Sequence, residues 1–231
     1  MLKDLKDQVS RANRELWAAG LCKLTFGNVS GYLRDQGLMV IKPSGVPYAE
    51  LTPDQMAVVN PEGQVVEGDL QPSSDTPTHL ALYRAWPDVG GVCHTHSPYA
   101  AMFAQAGKPL PCLGTTHADF FHGEVPVTQP FSPEEAKENY EKNTGLKILG
   151  RFAGLKPLAM PAVLVHGHGP FTWGLTPLQA VEHAIALEEC ARLALGSLQL
   201  NPELKPLPQE LLDRHFFRKH GPNASYGQKK K

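Results

Sequence analysis

The sequence predicts a single α/β domain in which a mixed sheet lies between helix layers. Three observations predict it. The 231 residues fit one domain of ordinary size. Apolar residues make up 42 % of the chain, enough for a proper core. Short apolar runs with strand character alternate with stretches of helical periodicity along the whole length, with no internal repeat, low-complexity block or linker between them.

The elements follow in order. Residues 3–19 read as an amphipathic helix, with Leu5, Val9, Ala12 and Leu16 on one stripe. Leu38 to Ile41 is a strand that runs into the turn Lys42-Pro43-Ser44-Gly45. Thr52-Pro53-Asp54-Gln55 has the form of a helix start, with Thr52 as cap and Pro53 in the first position. Met56 to Asn60 and Gln64 to Val66 flank Glu62-Gly63, a hairpin signal. Pro72-Ser73-Ser74-Asp75 is a turn leading into a helix from about Pro77 to Trp86. A strand is predicted over Gly91–His96, a helix over 98–106, and a short strand over Glu124–Thr128. Ser132-Pro133-Glu134-Glu135 caps a helix over 133–149. Ala162–His168 is a further apolar strand, and Pro177 to about Leu198 the longest helix. One more helix follows Pro206, and residues 229–231 form a frayed tail.

Composition excludes several classes of function. Lys plus Arg total 22 and Asp plus Glu 23, so no global basic field favours nucleic acid or an anionic membrane. No apolar run is long enough to cross a bilayer, and the charged first seventeen residues lack the apolar stretch of a signal peptide. Cys22, Cys93, Cys112 and Cys190 form no CxxC pair and no disulfide framework. They read as reduced, mostly buried thiols of a cytoplasmic protein.

The strongest chemical signal is His94-Thr95-His96 at the end of an apolar strand. Residues two apart on a strand share a face, so two imidazoles stand side by side and suit a divalent metal. His166-Gly167-His168 ends another apolar run in the same way. One such pair alone is usually two satisfied structural histidines; two pairs at strand ends are a metal signal. Asp75, in a turn before the first pair, adds a carboxylate. Imidazole with carboxylate is an ordinary ligand set for Zn²⁺ or Mn²⁺. The residues themselves leave open which of His166 and His168 binds. Gly27-Asn28, Ser44-Gly45 and Ser73-Ser74, with Lys42 nearby, supply turn amides, hydroxyls and a cation of the kind a phosphate group needs. Each is weak alone, since such turns are usually only turns.

These segments, LTFGNVSG, VIKPSGVPY, PSSDTPTH, GGVCHTHS, GTTHADFF, VLVHGHGPFTWG and RKHGPNASYGQ, resemble the L-ribulose-5-phosphate 4-epimerases of the class II aldolase family. The likeness runs from about residue 1 to residue 228, with each motif in order. It implies one α/β domain with a mostly antiparallel sheet, and a homo-oligomer, a tetramer, with active sites between subunits. It implies one divalent metal per subunit, zinc or manganese, held by His94, His96 and His168 with Asp75 at or near it. Asp119 and Tyr226 are implied as the acid–base pair, reaching the substrate from the neighbouring subunit. Aspartate in SSD, where related aldolases have glutamate, points to the epimerase branch. Phe26 stands where tryptophan is expected, and HGH replaces HSH; neither change removes a functional group. The implied reaction inverts C4 of a pentulose phosphate. C4 bears no acidic proton, whereas the C3–C4 bond lies next to the C2 ketone, so cleavage and re-addition is the expected route. The alternatives are an aldolase that releases its products, a dehydratase, and a non-catalytic module like the adducin head, which would be expected to lose the histidines.

Overall fold

The structure is a computed structural model that describes residues 1–221, 224 and 225. Seven strands of the described residues are joined in one sheet: β1 (Asn28–Leu33), β2 (Leu38–Ile41), β3 (Ala57–Val59), β4 (Val65–Glu67), β5 (Gly91–His94), β6 (Ala162–Leu164) and β7 (Pro170–Gly174). Their order is β4-β3-β2-β1-β5-β7-β6, and all six neighbouring pairs are antiparallel. The expected mixed character reduces to a single parallel bridge between Val127 and Leu164.

Among the described residues, eight helices surround the sheet: α1 (Leu2–Ala18), α2 (Thr76–Ala85), α3 (Pro98–Gln105), α4 (Thr115–Ala118), α5 (Pro133–Lys137), α6 (Tyr140–Arg151), α7 (Pro177–Leu200) and α8 (Gln209–Lys219). Strand alternation divides the core in two. Val29, Val40, Val58 and Cys93 face the apolar stripe of α1 (Leu5, Val9, Ala12, Leu16) and the first turns of α7. Met39, Ile41, Val59, Val92 and Trp173 face the opposite way, toward Leu82, Tyr83, Phe103 and Ile148 of the other helix layer. The sheet therefore lies between helix layers, as the sequence indicated.

Five local expectations are corrected. The helix start at Thr52 is only a 3₁₀ turn over Pro53–Gln55, although Thr52 and Gln55 do cap each other. Residues 124–128 make isolated bridges from Val125 and Val127 and no named strand. The predicted helix over 133–149 is two helices, broken where Asn139 takes a left-handed conformation at φ 53°. The strands expected to reach His96 and His168 stop at His94 and Leu164. Two strands were not predicted at all. β1 (NVSGYL) reads as turn-like in sequence, and β7 (PFTWG) is framed by Pro170 and Gly174. These two are the neighbours of β5 in the sheet and complete its centre.

All four cysteines are buried and free. No helix among the described residues is long and apolar enough to cross a membrane. Three buried histidines outside the predicted metal-ligand set make stability depend on pH. Burial pushes His79 down to about 3, and His117 and His183 down to about 4. His117 and His183 donate to the carbonyls of Gly123 and Trp173. Folded, all three stay neutral through mild acid, while the unfolded chain protonates them below pH about 6.5. Their contribution is complete above that pH and is lost as pH falls toward about 4. The loss is up to about 1.4 kcal/mol per histidine per pH unit. The melting temperature should therefore fall clearly between pH 7 and pH 5; a flat profile would refute this account.

Candidate metal and phosphate site

Three strand ends form the floor of the site. Antiparallel pairing sets the start of β1 and the start of β7 on either side of the end of β5, with Asn28 opposite His94 and His94 opposite Phe171. His94 is buried, and its ring stacks on Phe171 at 4.2 Å. Its Nδ1 lies 3.0 Å from the carbonyl of Pro170. A carbonyl only accepts, so Nδ1 carries the proton and the Nε2 lone pair faces the site.

His96 lies just past β5, stacked beneath the Phe26 ring at 5.8 Å. His168 comes from the tight turn between β6 and β7, closed by Val165 and Gly169, with Gly167 at φ 71°. That turn sends the two histidines of the second pair apart. His168 meets His94 and His96, whereas His166 lies against Gly107 on the other side. The alternation argument for this pair therefore fails: it is a turn, not a strand. Gly169 lets the turn come this close, because a Cβ there would lie 2.5 Å from the carbonyl oxygen of Thr95. Gly27 does the same on the β1 side, at φ 81° and with a Cβ position 2.7 Å from the carbonyl oxygen of His94.

The three Nε2 atoms converge. His96 Nε2 is 3.1 Å from that of His94 and 3.0 Å from that of His168. Imidazoles cannot satisfy one another in this arrangement, since a single N–H on His96 can serve only one of its two neighbours. One cation serves all three lone pairs. Tetrahedral zinc with ordinary Zn–N bonds holds nitrogens roughly 3.3 Å apart, close to the spacing here. Burial, with like charge from neighbouring imidazoles adding to it, depresses His94 to about 3 and His168 to about 4, and burial also lowers His96. All three are thus neutral, the form that ligates. The residues fit a divalent metal, and they are the one such cluster of three among the described residues.

Asp75 stands beside this triad. It caps α2, its Oδ2 is 4.0 Å from His94 Nε2, and it accepts from Asn28 Nδ2 at 2.7 Å. The same Asn28 amide donates to Ser73 Oγ at 3.0 Å. These residues line a cavity of about 380 Å³ together with Gly27, Lys42, Ser44, Gly45 and Ser74. Every predicted phosphate-type residue therefore shares one cavity with the three histidines. Among the described residues, Lys42 is the single lysine or arginine of that lining. Its ammonium is buried, 3.2 Å from the carbonyl of Pro43 and 4.8 Å above the Tyr48 ring, and burial lowers its pKa. Tyr48 Oη in turn donates toward the carbonyl oxygens of Gly27 and Phe26, at 2.7 and 2.9 Å.

Asp119 lies elsewhere. It follows α4 and is gripped by α8: Arg218 binds both carboxylate oxygens, at 3.0 and 2.7 Å, and His215 lies 3.1 Å away. Burial alone would raise this carboxyl, but the Arg218 and His215 hydrogen bonds and the Lys219 charge outweigh it and hold the group below the usual range. It is not part of the lining of the histidine cavity. Tyr226 lies outside the described residues. The cavity lining also includes Tyr140 and Glu141 at the start of α6, which the sequence did not single out. Their only sequence signal was Asn139, a residue type that tolerates the left-handed conformation and so can break a helix.

Comparison with known proteins identifies the family. A family profile described as Class II Aldolase and Adducin N-terminal domain matches residues 7–195. The chain is 50 % identical over 228 residues to L-ribulose-5-phosphate 4-epimerase UlaF of Salmonella paratyphi B, covering 99 % of this chain and 100 % of the relative. The same figures hold for the enzyme of that name from Salmonella typhi. Among solved structures, an L-fuculose 1-phosphate aldolase superposes with a TM-score of 0.78 at 27 % identity, covering 92 % of this chain and 94 % of that one. The L-fuculose-1-phosphate aldolase of Thermus thermophilus gives a TM-score of 0.69 at 26 % identity, over 87 % and 99 % of the two chains. With the profile covering most of the chain and the full-length relatives half identical, the chain belongs to the class II aldolase and adducin N-terminal domain family.

Proposed function

We propose that this protein is a metal-dependent enzyme that interconverts L-ribulose 5-phosphate and D-xylulose 5-phosphate by opening and re-forming the C3–C4 bond. The observation that carries the reading is one cavity that joins three neutral, converging imidazoles to a wall of phosphate-type donors. Half identity to named epimerases over the full length supports the choice of substrate. Asn28, Lys42, Ser44, Gly45, Ser73 and Ser74 bind the phosphate, with Lys42 as the cation and turn amides and hydroxyls around it. His94, His96 and His168 hold one divalent ion, with zinc the expectation and manganese the alternative, and Asp75 adds negative charge beside them. Such an ion supplies Lewis-acid stabilisation for negative charge on the ketone and C3 oxygens.

Cleavage needs a base to take the proton of the C4 hydroxyl, and re-addition needs an acid to return it. The aldehyde fragment rotates between the two steps, so the proton is taken on one face and returned on the other. Asp119 and Tyr226 fill these roles. Asp119 stands outside the cavity of its own chain, which supports a homo-oligomer, a tetramer, with sites shared between subunits.

Turnover in D₂O tests the route. The C4 hydrogen stays on carbon throughout cleavage and re-addition, so D-xylulose 5-phosphate should form with no deuterium at C4. With cleavage rate-limiting, ¹³C at C3 or C4 should slow the reaction. Deuterium at C4 would overturn the mechanism in favour of direct deprotonation.

A further inference from the structure

Tyr140 touches the site through His168: its hydroxyl oxygen is 3.0 Å from His168 Nδ1. Nothing in the sequence pattern places it there, since a continuous helix over 133–149 would carry Tyr140 along as one more helical position. The break between α5 and α6 is what delivers it. Asn139 adopts φ 53°, a conformation that costs energy for any residue with a side chain and persists only where the surroundings hold it. Here two ties hold it. Asn143 Nδ2 donates to the carbonyls of Glu135 and Glu138, at 2.9 and 2.8 Å, which fastens the first turn of α6 to α5. Lys147 then bridges to Glu135 at 2.8 Å. The Tyr140 ring packs on Phe131 with centroids 4.9 Å apart, which fixes its angle of approach.

We infer that Tyr140 is a positioning residue for the metal site, whose hydroxyl accepts the Nδ1–H of His168 and so fixes the tautomer and ring orientation in which Nε2 faces His94 and His96. This role rests on the metal reading above. His94 has its own device, the Pro170 carbonyl, which can only accept. A hydroxyl can donate as well as accept, so Tyr140 accepts from His168 in the tautomer that leaves the Nε2 lone pair free for the ion. In that state the phenolic proton no longer faces His168. Partners of this kind behind a ligating histidine typically change metal affinity by roughly 10–100-fold.

The test compares wild type with Tyr140→Phe, which removes only the hydroxyl and keeps the ring on Phe131. Zinc affinity is measured by competition with a chelating dye, and the exchange of the His168 ring N–H by ¹⁵N NMR on the zinc-loaded protein. Affinity should weaken roughly 10–100-fold. The His168 ring proton should exchange faster with solvent, and the melting temperature of the metal-free protein should not move. Asn143→Ala, which keeps the hydroxyl but unties α6 from α5, should weaken affinity in the same direction. Unchanged affinity and exchange in Tyr140→Phe would overturn the inference. A loss of affinity matched by an equal loss of metal-free stability would also overturn it, by marking Tyr140 as a packing residue. Wild type that bound no zinc would refute the metal reading itself, whereas equal affinities in wild type and Tyr140→Phe refute only the role of Tyr140.

Discussion

Asparagine in place of His96 should remove bound metal and turnover together. His96 Nε2 is the middle member of the triad, within 3.1 Å of both other Nε2 atoms. The shorter asparagine amide neither reaches that point nor offers a comparable lone pair, so two imidazoles remain, with Asp75 to one side. Loss of a Lewis acid worth several kcal/mol in the transition state lowers turnover by roughly a thousandfold or more. The fold should survive. His96 lies outside β5, is exposed, and its side chain packs against two imidazoles and the Phe26 ring. Elemental analysis of the purified variant, with circular dichroism as the control for folding, decides the matter. Full metal content in a folded His96→Asn protein would sink the ligand assignment.

The same residues show what the sequence could and could not reveal. The first histidine pair was legible because an apolar run, GVC, leads straight into it and β5 does end at His94. The second pair looked identical in one dimension and is not. Gly167 at φ 71° makes it a turn, so only His168 enters the site and His166 packs elsewhere. A glycine between two histidines permits both outcomes, and no local pattern chooses between them. β1 was missed for a related reason. Asn28, Ser30 and Gly31 are turn formers by propensity, yet here they are buried at the sheet centre, where Asn28 holds Ser73 and Asp75 and Ser30 bonds His79 and Tyr83. Tertiary context overrides propensity where polar side chains serve a site. α1, whose apolar stripe is regular, and α7, the longest helix, were read almost to their ends. Tyr140 was invisible because it depends on a helix break at Asn139 that is stabilised by contacts from α5.

The second large effect concerns Asp119. Asp119→Asn should keep its fold, since the amide has similar volume and retains an oxygen for Arg218, yet lose activity by roughly 10²–10⁴-fold, as is typical of one acid–base group. The variant should also keep its metal, because Asp119 is not among the cavity residues that hold the triad. That separation leads to a sharper expectation. On the shared-site proposal, Asp119 acts in the cavity of another chain, and two different defects should then complement. A His96→Asn chain offers a sound Asp119 and a ruined cavity; an Asp119→Asn chain offers the reverse. In hybrid oligomers formed from equal amounts by random exchange, about a quarter of the shared sites combine the sound half of each. Mixing two nearly inactive proteins should therefore restore up to about a quarter of wild-type activity per site, and the recovery should follow the exchange of mass-tagged subunits. Exchange without recovery would show that each site is built from one chain, and Asp119, held by Arg218 and His215 on α8, would then be a structural anchor for that helix.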